Sequence, residues 1–213
     1  GFEQAAAMML KGMTVSYLIK RTYKVTPGET VLFHAAAGGV GLIACQWLKA
    51  LGVTVIGTAG SDEKCALAKA HGAAHCINYK KEDFVARVKE ITGGKGVPVV
   101  YDGVGKDTFD GSLECLSPFG LLATFGNASG YVPPVDLVAK LKGTLFLTRP
   151  SLPPYTTPRA NLVTTANDLF DVVKSGTVKI EVNQRYPLAD AVQAHRDLES
   201  RNTTGSTVLV PRG

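Results

Sequence analysis

Short apolar, β-branched runs alternate with amphipathic stretches along most of the chain. The runs at 30–34, 53–57, 74–77, 97–101, 121–125 and 144–148 predict strands. Helical patterns fall between most of them, at 39–51, 62–71, 82–91 and 108–116, and a long amphipathic helix over about 2–23 precedes everything. Strand–helix alternation of this length predicts an α/β fold, a doubly wound parallel sheet with helices on both faces. The first strands are nearly all apolar, as strands covered on both faces are. The stretch 126–134 is rich in Gly, Pro and Ser and reads as a loop, and 150–158 holds four prolines in nine residues. After it, a helix (161–175), a strand (178–185), a helix (188–200) and a strand (206–210) predict a C-terminal α+β extension. The expected boundary lies near Arg149, giving a nucleotide-binding unit over 1–148 and a C-terminal segment over 149–213. No internal repeat or low-complexity segment is present.

The first strand runs straight into His34-Ala35-Ala36-Ala37-Gly38-Gly39-Val40-Gly41 and then a helix. In the dinucleotide fingerprint G-x-G-x-x-G, the second glycine lets the backbone approach a pyrophosphate and the third lets the helix pack on the strand. The phosphates then rest on free N–H groups at the helix N-terminus. Gly38 and Gly41 hold the second and third positions, whereas Ala36 stands at the first. Alanine disfavours positive φ, so the turn is expected to open without the left-handed conformation. The alternative is a tight strand–helix turn with small residues for packing; the position in the first βα unit of a parallel sheet favours the nucleotide.

NAD-selective sites carry an acid at the end of the second strand, bonded to the ribose 2′-OH. Here that strand ends Val55-Ile56-Gly57-Thr58-Ala59-Gly60, without a carboxylate. Asp62 follows in Ser61-Asp62-Glu63-Lys64 and reads as a helix N-terminal residue favoured by the dipole. Gly60 and Lys64 offer a bare backbone and an ammonium where a 2′-phosphate would sit, although Lys64 also reads as a solvated helix residue.

Composition narrows the partners. The chain has 213 residues and a net charge of +5, with Lys and Arg scattered rather than striped, so no nucleic-acid surface is expected. No apolar run reaches the length of a membrane span. Cys45, Cys65, Cys76 and Cys115 form no C-x-x-C pair and stand at no metal-ligand spacing from a histidine; reduced thiols of a cytoplasmic protein and no bound metal are expected. Cys76 has nothing in the sequence to activate it. His34 reads as a satisfied core residue, His71 and His75 as solvent-facing, and Asp102 as a turn or cap residue rather than a general base. His195, on a C-terminal helix, shows no sign of chemistry. The chain opens at Gly1 in mid-helix and ends Leu209-Val210-Pro211-Arg212-Gly213, read as a protease-site remnant whose last three residues carry no functional weight.

Several motifs in order resemble one family. Phe33-His34-Ala35-Ala36-Ala37-Gly38-Gly39-Val40-Gly41 with Cys45-Gln46-Trp47, Leu10-Lys11-Gly12-Met13-Thr14, Tyr101-Asp102-Gly103-Val104-Gly105, Phe125-Gly126-Asn127, Thr148-Arg149-Pro150-Ser151-Leu152 and Leu198-Glu199-Ser200-Arg201 look like the NADPH:quinone oxidoreductases (zeta-crystallin-like) of the medium-chain dehydrogenase/reductase superfamily. The resemblance implies a Rossmann-type domain that binds NADPH, with Ala37, Gly38, Gly39 and Val40 at the pyrophosphate. It implies Gly60, Lys64 and Tyr79 at the 2′-phosphate and adenosine end, and Gly103 beside the adenosine. Phe125, Asn127, Pro150, Ser151 and Leu152 are implied at the nicotinamide side, with Arg201 reaching back to the cofactor. Thr14 is implied near the ring, against the ordinary expectation of a helix hydroxyl bonded to its own backbone. The implied activity is zinc-independent hydride transfer to a quinone or enone, with the isolated chain inactive because the family's N-terminal GroES-like domain is absent. The implied assembly is a homodimer through the edge strand from Thr144 to Thr148. An enoyl reductase acting on acyl thioesters and a non-catalytic NADPH-binding sensor or structural protein are the alternatives.

Overall fold

The computed structural model describes residues 1–211; Arg212 and Gly213 of the discounted tail lie outside the described residues. Six strands form one sheet: β1 (Thr30–Phe33), β2 (Thr54–Ala59), β3 (His75–Asn78), β4 (Val97–Asp102), β5 (Leu116–Thr124) and β6 (Phe146–Thr148). Their order is β3-β2-β1-β4-β5-β6 with every neighbouring pair parallel, the doubly wound arrangement of a Rossmann-type fold. The alternation along β1 shows why the central strands are apolar throughout. Val31 and Phe33 join a core with α1 (Phe2–Tyr17) and α2 (Gly39–Ala50), while Leu32 joins a second core with α4 (Phe84–Ile91) and α5 (Phe109–Glu114). Helix α3 (Asp62–Ala70) packs on β2 and β3.

The predicted long first helix is two structures. After Tyr17 it widens into a π turn, Leu18–Thr22. That turn aims Lys20 at Asp168, 2.7 Å away, and over the ring of Trp47. Tyr17 stacks on Tyr155 at 4.4 Å, and Thr22 bonds the Tyr155 hydroxyl at 2.8 Å. The helix is thereby fastened to the C-terminal segment, which contains α8 (Arg159–Lys174), α9 (Ala191–Glu199) and the parallel pair β7 (Val182–Pro187) and β8 (Ser206–Val210).

Three further expectations needed correction. The proline-rich stretch contains α7 (Leu152–Thr156), with proline in its first turn, where its missing N–H goes unneeded. The expected loop over 126–134 has no helix or strand, and one turn of helix, α6 (Leu137–Lys140), capped by Asp136, follows it before β6. The strand expected at 178–185 begins only at Val182, because the Gln46 amide occupies both backbone groups of Lys179, at 2.9 and 3.0 Å. The last predicted helix opens with a 3₁₀ turn, Leu188–Asp190.

Candidate functional site

A parallel sheet sends all its strand-following loops to one edge, and the gap between β1 and β4, where the strand order reverses, is where such folds take ligands. Gly38 follows β1, Gly60 follows β2, Tyr79 follows β3, Gly103 follows β4, Phe125 and Asn127 follow β5, and Pro150, Ser151 and Leu152 follow β6. Of the expected site residues, only Thr14 and Arg201 come from elsewhere. One cleft is lined by Ala37, Gly38, Gly60, Lys64, Tyr79 and Arg201. Ala35, Ala59, Val104, Ala128 and Thr203 line it as well and were not expected. Ala59 and Val104 adjoin expected residues; Thr203 carries no sequence signal and arrives because the chain folds back after α9.

The glycine loop departs from its expected conformation. Ala35 takes a left-handed φ of 53°, so the turn does use that region, with an alanine one place earlier than the fingerprint glycine. The cost for a non-glycine residue is roughly 1–2 kcal/mol. Two hydrogen bonds hold it: Ala36 N–H to the Thr58 carbonyl and Gly38 N–H to the Ala35 carbonyl, both 3.0 Å. Gly38 caps α2 without a side chain, leaving the first amides of the helix available to an anion. The loop is steadied by the C-terminus, since Gly205 N–H donates to the Ala37 carbonyl at 3.0 Å and Gly205 bridges Gly38.

At the other end of the cleft, Gly60 admits no side chain: a Cβ there would stand 2.7 Å from the Tyr79 hydroxyl. Ser61 caps α3 and Asp62 is its first residue, as expected. Asp62 is not among the cleft-lining residues; it is bonded by Lys81 Nζ and by Asn78 Nδ2 at 2.7 Å, which together lower its carboxyl pKa. The Lys64 ammonium donates to the Arg201 carbonyl, and Arg201, at a left-handed φ of 60°, aims its guanidinium loosely at Asp107, 3.5 Å away. Burial, then the Lys80 and Arg201 charges, lowers the Lys64 pKa, and among the described residues Lys64 itself has no carboxylate in ion-pair distance.

Beyond β4, Gly103 lies against the ring of Phe125, whose atoms would stand 3.0 Å from a Cβ there. Phe125 packs on the α1-side core together with Val40 and Leu152, so those expected residues share one face, while Gly39 lies beneath Lys11. Asn127 lies against Gly105, Pro150 is buried, and Ser151 precedes α7 without a side-chain cap. Thr14 follows the ordinary expectation: its hydroxyl donates to the Leu10 carbonyl at 2.8 Å.

Asp102, at the end of β4, is fully buried and holds the next turn. It accepts from the amides of Val104 and Gly105 at 2.7 and 3.0 Å, and from the hydroxyls of Thr108 and Ser112 at 2.7 and 3.0 Å. Ser112 in turn meets His34 Nε2 at 3.0 Å, and Thr58 meets His34 Nδ1 at 2.9 Å. Because Ser112 gives its proton to Asp102, it accepts from Nε2–H, which leaves Nδ1 to accept from Thr58. The imidazole is neutral, in agreement with burial lowering its pKa, opposed by the Asp102 charge.

His71 does not face solvent. It bonds the Leu67 carbonyl at 2.8 Å and Glu181 at 3.0 Å, because the C-terminal segment folds over the end of α3. His75 and His195 are exposed. Burial pushes the thiols of Cys45 and Cys115 up to about 12 and that of Cys76 higher still. Among the described residues no helix is long and apolar enough to cross a membrane.

Residues 39–153, just over half the chain, match the family described as zinc-binding dehydrogenase. The chain belongs to that family. The matched span includes the helix after the glycine loop, Gly60, Lys64, Tyr79, Gly103, Phe125, Asn127 and the turn through Leu152. A quinone oxidoreductase of Salmonella typhimurium is 58% identical over 213 residues, covering 99% of this chain and 65% of that protein. A 2-haloacrylate reductase of a Burkholderia species is 48% identical over 209 residues, 97% of this chain and 63% of that protein. The crystal structure of the Escherichia coli quinone oxidoreductase complexed with NADPH matches at a TM-score of 0.96 and 55% identity, covering 99% of this chain and 66% of that one. The chain spans just under two thirds of the length of these relatives. Among the described residues no three His, Cys, Asp or Glu side chains converge, so they offer no ligand set for the metal in the family's description.

Proposed function

We propose that this chain is the NADPH-binding portion of a zinc-independent oxidoreductase acting on quinones or related conjugated carbonyl compounds. One observation carries the reading: the glycine loop and the corner at Gly60, Lys64, Tyr79 and Arg201 form one cleft, with no free carboxylate in its lining. NADPH, when bound, supplies the hydride; the protein supplies binding and orientation. In this reading the amides at the start of α2 take the pyrophosphate, Lys64 exchanges the Arg201 carbonyl for the 2′-phosphate, and Phe125 and Leu152 support the nicotinamide end. Thr14 stays near the ring in a packing role. In the same reading residues 1–148 form the cofactor unit and 149–213 the C-terminal segment that would pack with a catalytic domain. Cytoplasmic location and the absence of nucleic-acid partners follow the same family reading.

Reduction of a conjugated carbonyl compound rather than a quinone is supported by the Burkholderia relative, named a 2-haloacrylate reductase. Turnover by the full-length protein of a small quinone, an enone and an enoyl thioester, each with NADPH, separates the readings. Quinone or enone turnover supports the proposal, thioester preference supports the enoyl reductase, and NADPH binding without turnover makes it a sensor or structural protein. The 213-residue chain alone is expected to turn over far more slowly, because positioning of both reactants lowers the barrier by several kcal/mol.

Lys64→Ala is expected to weaken NADPH by about tenfold, the lower end for a lost bond to a charged group, since the site is partly solvated. NADH should change little, having no 2′-phosphate. Calorimetric titration of both cofactors checks this, and equal weakening of the two would make Lys64 a structural residue.

We also propose a homodimer through β6. Phe146 is 56% exposed on this edge strand, and the run from Thr144 to Thr148 contains no charge. Uncovered apolar edges pair unless blocked. Phe146→Lys is expected to shift sedimentation from dimer to monomer; an unchanged dimer would place the interface elsewhere.

A further inference from the structure

The turn after β3 lies against the same corner of the cleft and supplies more than Tyr79: Asn78, Lys80 and Lys81 have no part in the reading above. Asn78 is 5% exposed and bonds in two directions: its Nδ2 donates to Asp62 Oδ1 at 2.7 Å, and its Oδ1 accepts the Lys80 amide at 3.2 Å. The backbone closes behind it, with the amides of Lys81 and Glu82 donating to the Asn78 carbonyl at 2.9 and 3.0 Å. This holds Tyr79 and Lys80 over Gly60, where a Cβ would stand 2.7 Å from the Tyr79 hydroxyl and 3.7 Å from Lys80 Cε. The next residue, Lys81, is ion-paired with Asp62. Asp62 lies two residues past Gly60, near enough in sequence to serve as the acid that selects a free ribose hydroxyl, yet both its oxygens are occupied. Asp107 faces Arg201. Lys80 has no ion-pair partner among the described residues.

From this arrangement we infer that the turn from Asn78 to Lys81 sets nucleotide preference: Lys80 adds a second ammonium beside Gly60, and Lys81 with Asn78 masks the Asp62 carboxylate. The inference rests on the NADPH reading and extends it to residues outside the expected set. A dianionic 2′-phosphate then meets Lys64 and Lys80, while the acid that would repel it is neutralised. Without Lys81, the same acid stands unpaired one turn from the ribose site and favours a ligand with a free 2′-hydroxyl.

The probes are 2′,5′-ADP and 5′-AMP, which differ by the 2′-phosphate alone, titrated calorimetrically into the wild-type chain and variants. Lys80 and Lys81 are exposed, so their alanine variants are expected to fold, which circular dichroism verifies. Lys80→Ala is expected to weaken 2′,5′-ADP by about two- to fivefold, as for an exposed ion pair, and to leave 5′-AMP unchanged. Lys81→Ala is expected to lower the 2′,5′-ADP preference, and Asp62→Asn in the Lys81→Ala background is expected to restore it. Wild-type preference that survives both single variants overturns the inference while leaving the NADPH reading intact. An effect of Lys81→Ala that persists with Asp62→Asn overturns the masking role and makes Lys81 a direct phosphate ligand. A wild-type chain that binds the two probes equally overturns the NADPH reading and this inference with it.

Discussion

Replacing Asp102 by alanine is expected to lower the melting temperature by roughly 10–15 °C. The carboxylate is fully buried and accepts four hydrogen bonds, two from the backbone of the turn beside the cleft and two from the hydroxyls of Thr108 and Ser112. Alanine leaves the two amides and the Ser112 hydroxyl without that acceptor in a space closed to solvent, while the Thr108 hydroxyl keeps the Gly105 carbonyl at 3.2 Å. A buried donor left unsatisfied costs about 1–3 kcal/mol, and partial relaxation brings three of them to roughly 3–5 kcal/mol. At about 2–4 °C per kcal/mol for a domain of this size, the expected fall follows. The loss is a large fraction of an ordinary stability of about 5–15 kcal/mol. It also propagates, since Ser112 orders His34 and His34 meets Thr58, tying the ends of β4, β1 and β2 together beneath the cleft. Ser112→Ala removes one donor and is expected to cost about 1–2 kcal/mol. Thermal unfolding of both variants checks the ranking. A change under 3 °C for Asp102→Ala would show that the network contributes little.

Gly41→Ala is expected to cost about 2–4 kcal/mol and to abolish measurable NADPH binding in the same step. A Cβ at this position would stand 2.4 Å from the Ala35 carbonyl oxygen and 2.6 Å from the Ala36 Cα and carbonyl carbon. These are backbone atoms of the loop itself, which no rotamer change can move. Helix α2 must then withdraw from β1, and the Ala35 carbonyl that holds Gly38 N–H moves with it. Gly38→Ala serves as the control: its added methyl meets one atom, at 3.2 Å, so the fold should survive with about 1 kcal/mol lost. Urea unfolding measures the stability of both, and fluorescence titration their NADPH affinity. If Gly41→Ala retains wild-type stability and affinity, the close packing of helix on loop has no role in holding the phosphate site.

The sheet was readable in the sequence because its signal is local. Val31, Leu32 and Phe33 are apolar on both faces, and each strand is followed by its own helix. The features that were not readable depend on partners distant in the chain. The π turn after Tyr17 answers to Asp168 and Tyr155, and the late start of β7 answers to Gln46. His71 is drawn from solvent by Glu181, which follows it by more than a hundred residues. Within the site, the glycine loop and the missing carboxylate after β2 were readable from the residues, the positions at the later strand ends came from the family resemblance, and Thr203 and the Lys64 bond to the Arg201 carbonyl depend on the returning C-terminus. Ala35 shows a subtler limit. The loop needs one left-handed residue, and neighbouring hydrogen bonds place it on an alanine where the fingerprint points to a glycine one position later.

The central claim is that this cleft takes NADPH, with the 2′-phosphate at Lys64, Tyr79 and Arg201. Its most direct test is titration of the wild-type chain with NADPH and with NADH at the same low ionic strength. NADPH is expected to bind tighter by at least about tenfold, with the gap narrowing as salt screens the exposed lysines. Equal affinities, or tighter binding of NADH, would contradict it and return Asp62 to the ribose.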